Sequence, residues 1–333
     1  ADVLNELVNK EQKVLRLPLD THQQAVYTEI IHRHLQQTQK SSKGAARDEV
    51  APMKNINKKL INNIFSDLRK AANHPLLCTT RFSEEQTKEM SEFLLHTGHF
   101  GPTCSLAQVL KEVRSYSDFT MHQVCCEYKH LNKYVLSDTD ISSSAKLQAL
   151  QELLPQLKKD GHRVLIFSQW TSMLDIIQEF VTNLGMRYLR LDGSTPVKER
   201  QELLDVYKED TDITCFLLST RAGGMGINLT SADTVILHDL DFNPMIDRQA
   251  EDRCHRIGQT RPVTVYKLVS ASTVDEKIYS IAERKGQLAN AMLGEGGDDD
   301  TSDAAQGDIK DLIEGILAKH WRDLELGKND KKK

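Results

Sequence analysis

The chain has 333 residues, enough for two or three domains and a sizeable core. Its 43 basic and 48 acidic residues give a formal net charge of -5, so nucleic-acid binding through bulk positive charge is excluded and would need a local basic surface. The longest apolar runs, 164–167 and 215–218, are far short of the ~20 residues of a membrane-spanning helix. Six cysteines without a CxxC pair read as reduced thiols. The chain opens ADVLNEL, without Met or a signal-peptide pattern, and is expected to be a piece of something longer.

Residues 13–17 form a short β-like run ahead of Pro18. Leu19, Val26, Ile30 and Ile31 then recur at helical spacing, with Asp20 or Thr21 as cap. Residues 37–52 are small and polar, which reads as a linker. Over 55–72, Ile56, Leu60, Ile64 and Leu68 make one apolar stripe, ended by Asn73-His74-Pro75. A second helical stretch is expected over 118–128, so 18–143 reads as a mostly helical, irregular region.

From residue 144 the pattern changes. Strand-like runs at 163–168, 187–191, 213–219, 234–237 and 263–269 alternate with helical runs, among them 171–184 and 247–256. Thr195 is the expected cap of a helix with Pro196 at its first position. Alternation of nearly continuous aliphatic strands with helices predicts an α/β fold over 144–270, a parallel sheet covered on both faces. Residues 271–293 read as a helical extension, 294–308 as a disordered acidic spacer without a basic residue, and 309–333 as a last helix with a basic tail.

In an open α/β sheet, ligands bind at the C-terminal ends of the strands. Unusual polar residues fall there: Ser168-Gln169-Trp170, Asp192-Gly193-Ser194, the run from Ser219 to Gly226, and His238-Asp239 with Asp241-Phe242-Asn243-Pro244. They are expected to share one rim. The turn at Gly223, Gly224 and Gly226 is small enough for backbone amides to approach phosphate, though it lacks GxGxxG spacing. Arg253 and Arg256 are three apart and would share a face if their helix reaches that far, which suits a triphosphate. A salt-bridged surface helix would look the same, because Asp247, Glu251 and Asp252 are close. A zinc site can be drawn from His96, His99, Cys104, His122 and Cys125, but the surrounding Phe, Leu and Tyr favour packing, and no metal is expected.

Taken together, these segments resemble the second RecA-like lobe of the SWI/SNF-type ATPases of helicase superfamily two. Leu165-Ile166-Phe167-Ser168-Gln169 resembles motif IV, and Arg190-Leu191-Asp192-Gly193-Ser194-Thr195 the block that follows it. The stretch 218–229 is similar to motif V, and Gln249-Ala250-Glu251-Asp252-Arg253-Cys254-His255-Arg256-Ile257-Gly258-Gln259 to motif VI. Leu68-Arg69-Lys70-Ala71-Ala72-Asn73-His74-Pro75-Leu76 is similar to the family's LRK–NHP signature. Tyr116-Ser117-Asp118-Phe119, Leu131-Asn132-Lys133-Tyr134 and the wording of motif VI are most similar to the SMARCAD-type remodellers. On this resemblance 1–17 is the end of the first motor lobe.

The resemblance implies a nuclear, ATP-dependent double-stranded DNA translocase acting on nucleosomes. In that role Arg253 and Arg256 are arginine fingers on the γ-phosphate, and Gln249, Gly226 and Asn228 adjoin the nucleotide. Ser168, Gln169, Gly193, Ser219, Thr220, Arg221, Gly223 and Gly224 are implied to touch DNA phosphates. Phe242 stands where the family often has Trp, so it keeps a contact surface but not an indole hydrogen bond. Neither a GxxxxGKS/T loop nor a DExH box occurs. ATP and Mg²⁺ are therefore expected to be held mainly by the first RecA-like lobe of the same protein, and this chain alone should not hydrolyse ATP. The competing reading is a non-catalytic α/β scaffold with docking helices at 53–143 and 274–333. A scaffold would have no reason to keep both arginines.

Overall fold

The structure is a computed structural model and describes residues 7–41, 58–223, 226–291 and 301–330. Its centre is a six-stranded, all-parallel sheet of β1 (Lys10–Leu17), β2 (Val164–Ser168), β3 (Tyr188–Leu191), β4 (Cys215–Ser219), β5 (Thr234–Leu237) and β6 (Val263–Ser270). The strands are ordered β1-β6-β5-β2-β4-β3. Side chains alternate across a strand, so each aliphatic run feeds two cores. Leu165, Phe167, Phe216, Leu218, Val235, Leu237 and Val265 face one side. Val164, Ile166, Cys215, Leu217, Ile236 and Leu268 face the other. This is the two-faced parallel sheet that the sequence predicts.

The first face is covered by α1 (Thr21–Ser41), α2 (Lys58–Asn73), α9 (Val197–Glu209), α11 (Pro244–Glu251), α12 (Val274–Ala291) and α13 (Thr301–Asp330). The second is covered mainly by α7 (Ala145–Lys159) and α8 (Thr171–Asn183), with α6 (Asp138–Ile141) beside α8. The remaining helices, α3 (Glu84–His96), α4 (Leu106–Val113) and α5 (Asp118–Cys126), gather a separate small core around Met90, Leu94, Val109, Met121 and Cys125. A four-residue helix, α10 (Thr220–Gly223), follows β4.

Several boundaries differ from the expectation. Of residues 1–17, expected as the end of the first motor lobe, Lys10–Leu17 form β1, which pairs with β6 along its whole length from Lys10↔Val263 to Leu17↔Ser270 and so is part of this sheet. Of the helical region 18–143, α1 and α2 belong to the main core, where Ile30, Ile64 and Leu68 are buried against the sheet. Only α3 to α5 have a core of their own. Residues 42–57, which hold most of the expected linker, lie outside the described residues, as does the 294–300 part of the acidic segment. The rest of that segment, 301–308, begins α13 instead of forming a spacer. Asp308 there meets Lys285 Nζ at 2.9 Å. Pro196, not Thr195, is the N-cap of α9, because the Thr195 hydroxyl accepts the Asp192 amide hydrogen at 3.1 Å.

Polar contacts buried between the layers fix the helices to one another. Gln23 on α1 donates from Nε2 to the carbonyls of Ala71 (2.9 Å) and Ala72 (3.1 Å), and its Oε1 accepts from the amide of Ala145 (3.0 Å). Lys146 on α7 has no solvent exposure. Its Nζ donates to Asn73 Oδ1 (2.7 Å), the His238 carbonyl (2.7 Å) and Asp275 Oδ2 (2.5 Å). One ammonium group thus joins α7, the end of α2, the exit of β5 and the start of α12. His74 caps a 3-10 turn at Pro75–Leu77: Nδ1 accepts the Leu76 amide hydrogen at 3.1 Å and Nε2 donates to the Ile141 carbonyl at 2.9 Å.

Replacing Lys146 with Met strands a buried carboxylate and is expected to cost about 3–5 kcal/mol, read as a fall in the urea midpoint. The double variant Lys146→Met/Asp275→Leu recovers part of that loss; an unchanged midpoint in the single variant would refute the clamp. Burial lowers the His74 pKa to about 4. Between pH 6.5 and 4 the unfolded chain therefore binds a proton that the folded chain excludes, and this residue's stabilising contribution falls as pH falls. The stability advantage of wild type over His74→Asn should shrink by up to about 3 kcal/mol across that window. A pH-independent difference would contradict it.

Candidate functional site

The polar residues at the strand exits build a tied rim. At the end of β2, the buried Ser168 hydroxyl donates to Asp239 Oδ2, and the Gln169 amide donates to Asp239 Oδ1 at 2.9 Å. Burial pushes the Asp239 carboxyl up, and Arg69 and the Ser168 hydroxyl pull against it. Arg69, on α2, spans two loops: Nη1 donates to Gln169 Oε1 (3.4 Å) and Nη2 to the Leu240 carbonyl (3.1 Å). Its guanidinium lies 5.7 Å from the rings of both Phe65 and Trp170. Phe65 in turn packs against Phe242 in a tilted arrangement with ring centroids 5.3 Å apart. One helix side therefore holds the loop after β2 and the loop after β5 in fixed relation.

At the exit of β3, Asp192 accepts from the Ser194 amide (2.8 Å) and hydroxyl (2.6 Å) and pairs with Arg190 (2.7 Å). Burial opposes ionisation, but the Ser194 donors and Arg190 outweigh it and hold the carboxyl below its ordinary range. Gly193 is exposed, has no left-handed φ, and a Cβ there would meet nothing within 4 Å. Among the described residues, no neighbour requires glycine at this position.

The residues expected to meet DNA thus separate by accessibility. Gly193 and Arg221 are exposed, and Gln169 and Phe242 are half-buried. Ser168, Ser219 and Thr220 are buried. Ser168 is committed to Asp239, so it shapes the rim without presenting its hydroxyl. Gly223 ends α10, and Gly224 lies outside the described residues.

The arginine pair occupies a different place. Helix α11 ends at Glu251, with Asp252 as its C-cap, so Arg253 and Arg256 sit on the turns beyond it and share no helix face. The turn packs against the residues entering β5. The Arg253 carbonyl accepts from the Leu229 amide (3.0 Å), Cys254 Sγ donates to the Ala232 carbonyl (3.0 Å), and Gln259 Nε2 donates to the Ala232 carbonyl (2.7 Å). This lies toward the opposite ends of the strands, so the expected single rim is two sites.

Arg253, Arg256 and Gly226 nevertheless line one open cleft of about 500 Å³, together with Leu7, Asp252, His255 and Ile257. Gly226 has φ +73°, a conformation that favours glycine. Asn228 is exposed nearby in sequence, with Oδ1 accepting the Thr230 amide hydrogen (3.2 Å), and Gln249 is exposed on α11. Two guanidiniums against one carboxylate make a donor set suited to phosphate oxygens and not to a magnesium ion. Beneath the start of α11, burial pushes the Asp247 carboxyl up to about 8.

Two of the histidines considered for zinc have other partners. His122 Nε2 meets Glu179 (3.0 Å) while its Nδ1 accepts from the Leu136 amide (2.9 Å), and His99 meets the Tyr128 hydroxyl (2.8 Å). Among the described residues, no group of three or more His, Cys, Asp or Glu is placed to hold a metal. The residues that sequence reasoning missed are Lys146, Asp275 and Gln23, while Arg69 and Asp239 lay within segments it had singled out without a role.

Fold and motifs together define a helicase-type RecA-like lobe, and residues 145–258 match the helicase conserved C-terminal domain. The chain is 32% identical to the crystal structure of the C-terminal part of the Fun30 ATPase domain, covering 94% of this chain and 99% of that one with a TM-score of 0.78. It is 47% identical over 95% of its length to protein CHROMATIN REMODELING 19 of Arabidopsis thaliana. Over 69% of its length it is 46% identical to the human SWI/SNF-related matrix-associated actin-dependent regulator of chromatin subfamily A containing DEAD/H box 1. The Sulfolobus solfataricus SWI2/SNF2 ATPase core in complex with dsDNA shares the fold at 22% identity, with a TM-score of 0.54 over 85% of this chain and 46% of that one. The chain belongs to the SWI/SNF-type family of chromatin-remodelling ATPases, as their C-terminal helicase lobe. It spans 42% of the Arabidopsis relative and 22% of the human one.

Arg69→Lys keeps the charge but cannot span both acceptors, and is expected to lower the unfolding free energy by about 1–3 kcal/mol. In a double-mutant cycle it should be non-additive with Gln169→Ala. Strict additivity would show that the two residues do not act together.

Proposed function

We propose that this lobe is the phosphate-sensing half of an ATP-driven double-stranded DNA translocase that remodels nucleosomes in the nucleus. ATP and Mg²⁺ are held by the first RecA-like lobe of the same protein. When the lobes close, Arg253 and Arg256 meet the γ-phosphate and stabilise the charge that develops in transfer. Gly226, lacking a side chain, lets the nucleotide approach the backbone, and Asn228 and Gln249 border the same site. The observation that carries this reading is the cleft that Gly226 shares with both guanidiniums.

Duplex DNA runs along the strand-exit rim. Gln169, Gly193, Arg221 and Phe242 touch the phosphate-sugar backbone, joined by backbone amides near Ser219, Thr220, Gly223 and Gly224. Ser168 acts by holding Asp239, which fixes the Gln169 amide. Contacts to phosphate without base readout suit movement along any sequence. On this reading the nucleotide and the duplex meet different parts of one sheet. Among the described residues no helix is long and apolar enough to cross a membrane.

The test is ATP turnover with and without duplex DNA, comparing the two-lobe protein with this lobe alone. The two-lobe protein should turn over ATP on DNA, and Arg253→Ala or Arg256→Ala should lower kcat by about a thousandfold or more. This lobe alone should show no turnover. DNA-stimulated hydrolysis by the lobe alone, abolished by Arg256→Ala, would overturn the reading.

A further inference from the structure

The turn that carries Arg253 and Arg256 is held from two sides. Its inner side is bonded to residues 229–232 through Arg253, Cys254 and Gln259. Its outer side is fastened to the segment ahead of β1. His255, between the arginines, meets the Val8 carbonyl with Nε2 at 2.8 Å. A carbonyl can only accept, so Nε2 carries the proton. A second tie, from the end of α11 to β1 itself, lies four residues earlier. The buried Glu251 accepts from Lys10 Nζ (2.9 Å) and Gln12 Nε2 (2.9 Å) with Oε2, and pairs with Lys267 (3.1 Å) through Oε1. Leu7, in the same upstream segment, lines the arginine cleft itself.

These contacts connect two things with no direct need of each other in the folded lobe. Residues 7–9 are not part of a strand or helix, and His255 is only half-buried. The turn also has hydrogen bonds of its own on its inner side. The outer tie instead couples the direction in which the chain enters the lobe to the placement of two guanidiniums. In a two-lobe protein the entering chain comes from the first lobe.

We propose that His255 is a positioning residue that ties the arginine turn to the entering segment at Val8, so that the approach of the first lobe sets the aim of Arg253 and Arg256. The proposal rests on the arginine role put forward above. Displacing an aligned group by ~1 Å costs up to about a hundredfold in rate, whereas ground-state binding need not change.

The experiment is DNA-stimulated ATPase of the two-lobe protein. His255→Ala should lower kcat about ten- to a hundredfold. The KM for ATP and the Kd for duplex should stay within about twofold, because the tie acts on the aim of the arginines and not on the first lobe's hold on the nucleotide or on the strand-exit rim. His255→Gln keeps a side-chain donor at similar reach and should restore most of kcat. Lys10→Met loosens the second tie without altering the turn and should lower kcat in the same direction. Thermal midpoints above the assay temperature exclude unfolding; if His255→Ala fails that control, Lys10→Met decides the matter by the same criteria. Unchanged kcat in His255→Ala, or an equal loss in His255→Gln, would overturn the tie. If Arg253→Ala and Arg256→Ala also leave turnover intact, the arginine role itself has failed; if they abolish it while His255→Ala does not slow it, only the tie has.

Discussion

A single ammonium group without access to water holds the layers of this lobe together. Taking Lys146 and Asp275 out of solvent costs several kcal/mol per ion, and that cost is offset only because Nζ finds three acceptors in good geometry. The acceptors come from positions 73, 238 and 275, far apart in the chain. What the contact secures is relative placement: the end of α2, the exit of β5 and the start of α12 cannot shift independently. Arg69 lies one turn before Asn73, and Asp239 follows His238 directly. The rim is therefore an extension of the clamp.

The two candidate sites differ in how they are supported. The rim rests on buried polar contacts, in which Ser168, Asp239, Arg69 and Asp192 are consumed in holding loops while Gly193 and Arg221 are left exposed. A surface built in this way is stiff, which suits repeated contact with a regular polyanion. The arginine turn, by contrast, lies past the end of its helix, braced by several hydrogen bonds to residues 229–232 on its inner side and by the His255–Val8 bond on its outer side.

Much of this was legible in the sequence because it depends on local pattern. The aliphatic runs at 164–167 and 215–218 can only be buried on both faces, and the alternation with helices then implies a parallel sheet. The segments around Ser168, Gly193, Gly226 and Arg253 stand out by composition. What could not be read depends on partners distant in the chain. Lys146, in the run Ala-Lys-Leu-Gln-Ala-Leu, looks like any lysine on a helix surface. Ser168 looks accessible until Asp239 is seen beside it. The end of α11 was also hidden, since Asp252-Arg253-Cys254-His255 contains no helix breaker and the helix stops because the turn finds better partners at 229–232. Likewise nothing in Lys10–Leu17 states which sheet it joins; its register with β6 decides that.

That register has a practical corollary for dissecting the protein. β6 donates and accepts along both of its sides, with β5 on one and β1 on the other. A truncation starting beyond Leu17 would strip β6 of its outer neighbour and bare a ladder of backbone amides and carbonyls, the kind of border that recruits foreign strands and precipitates. Fragments meant to preserve this lobe as a soluble unit should begin upstream of Lys10.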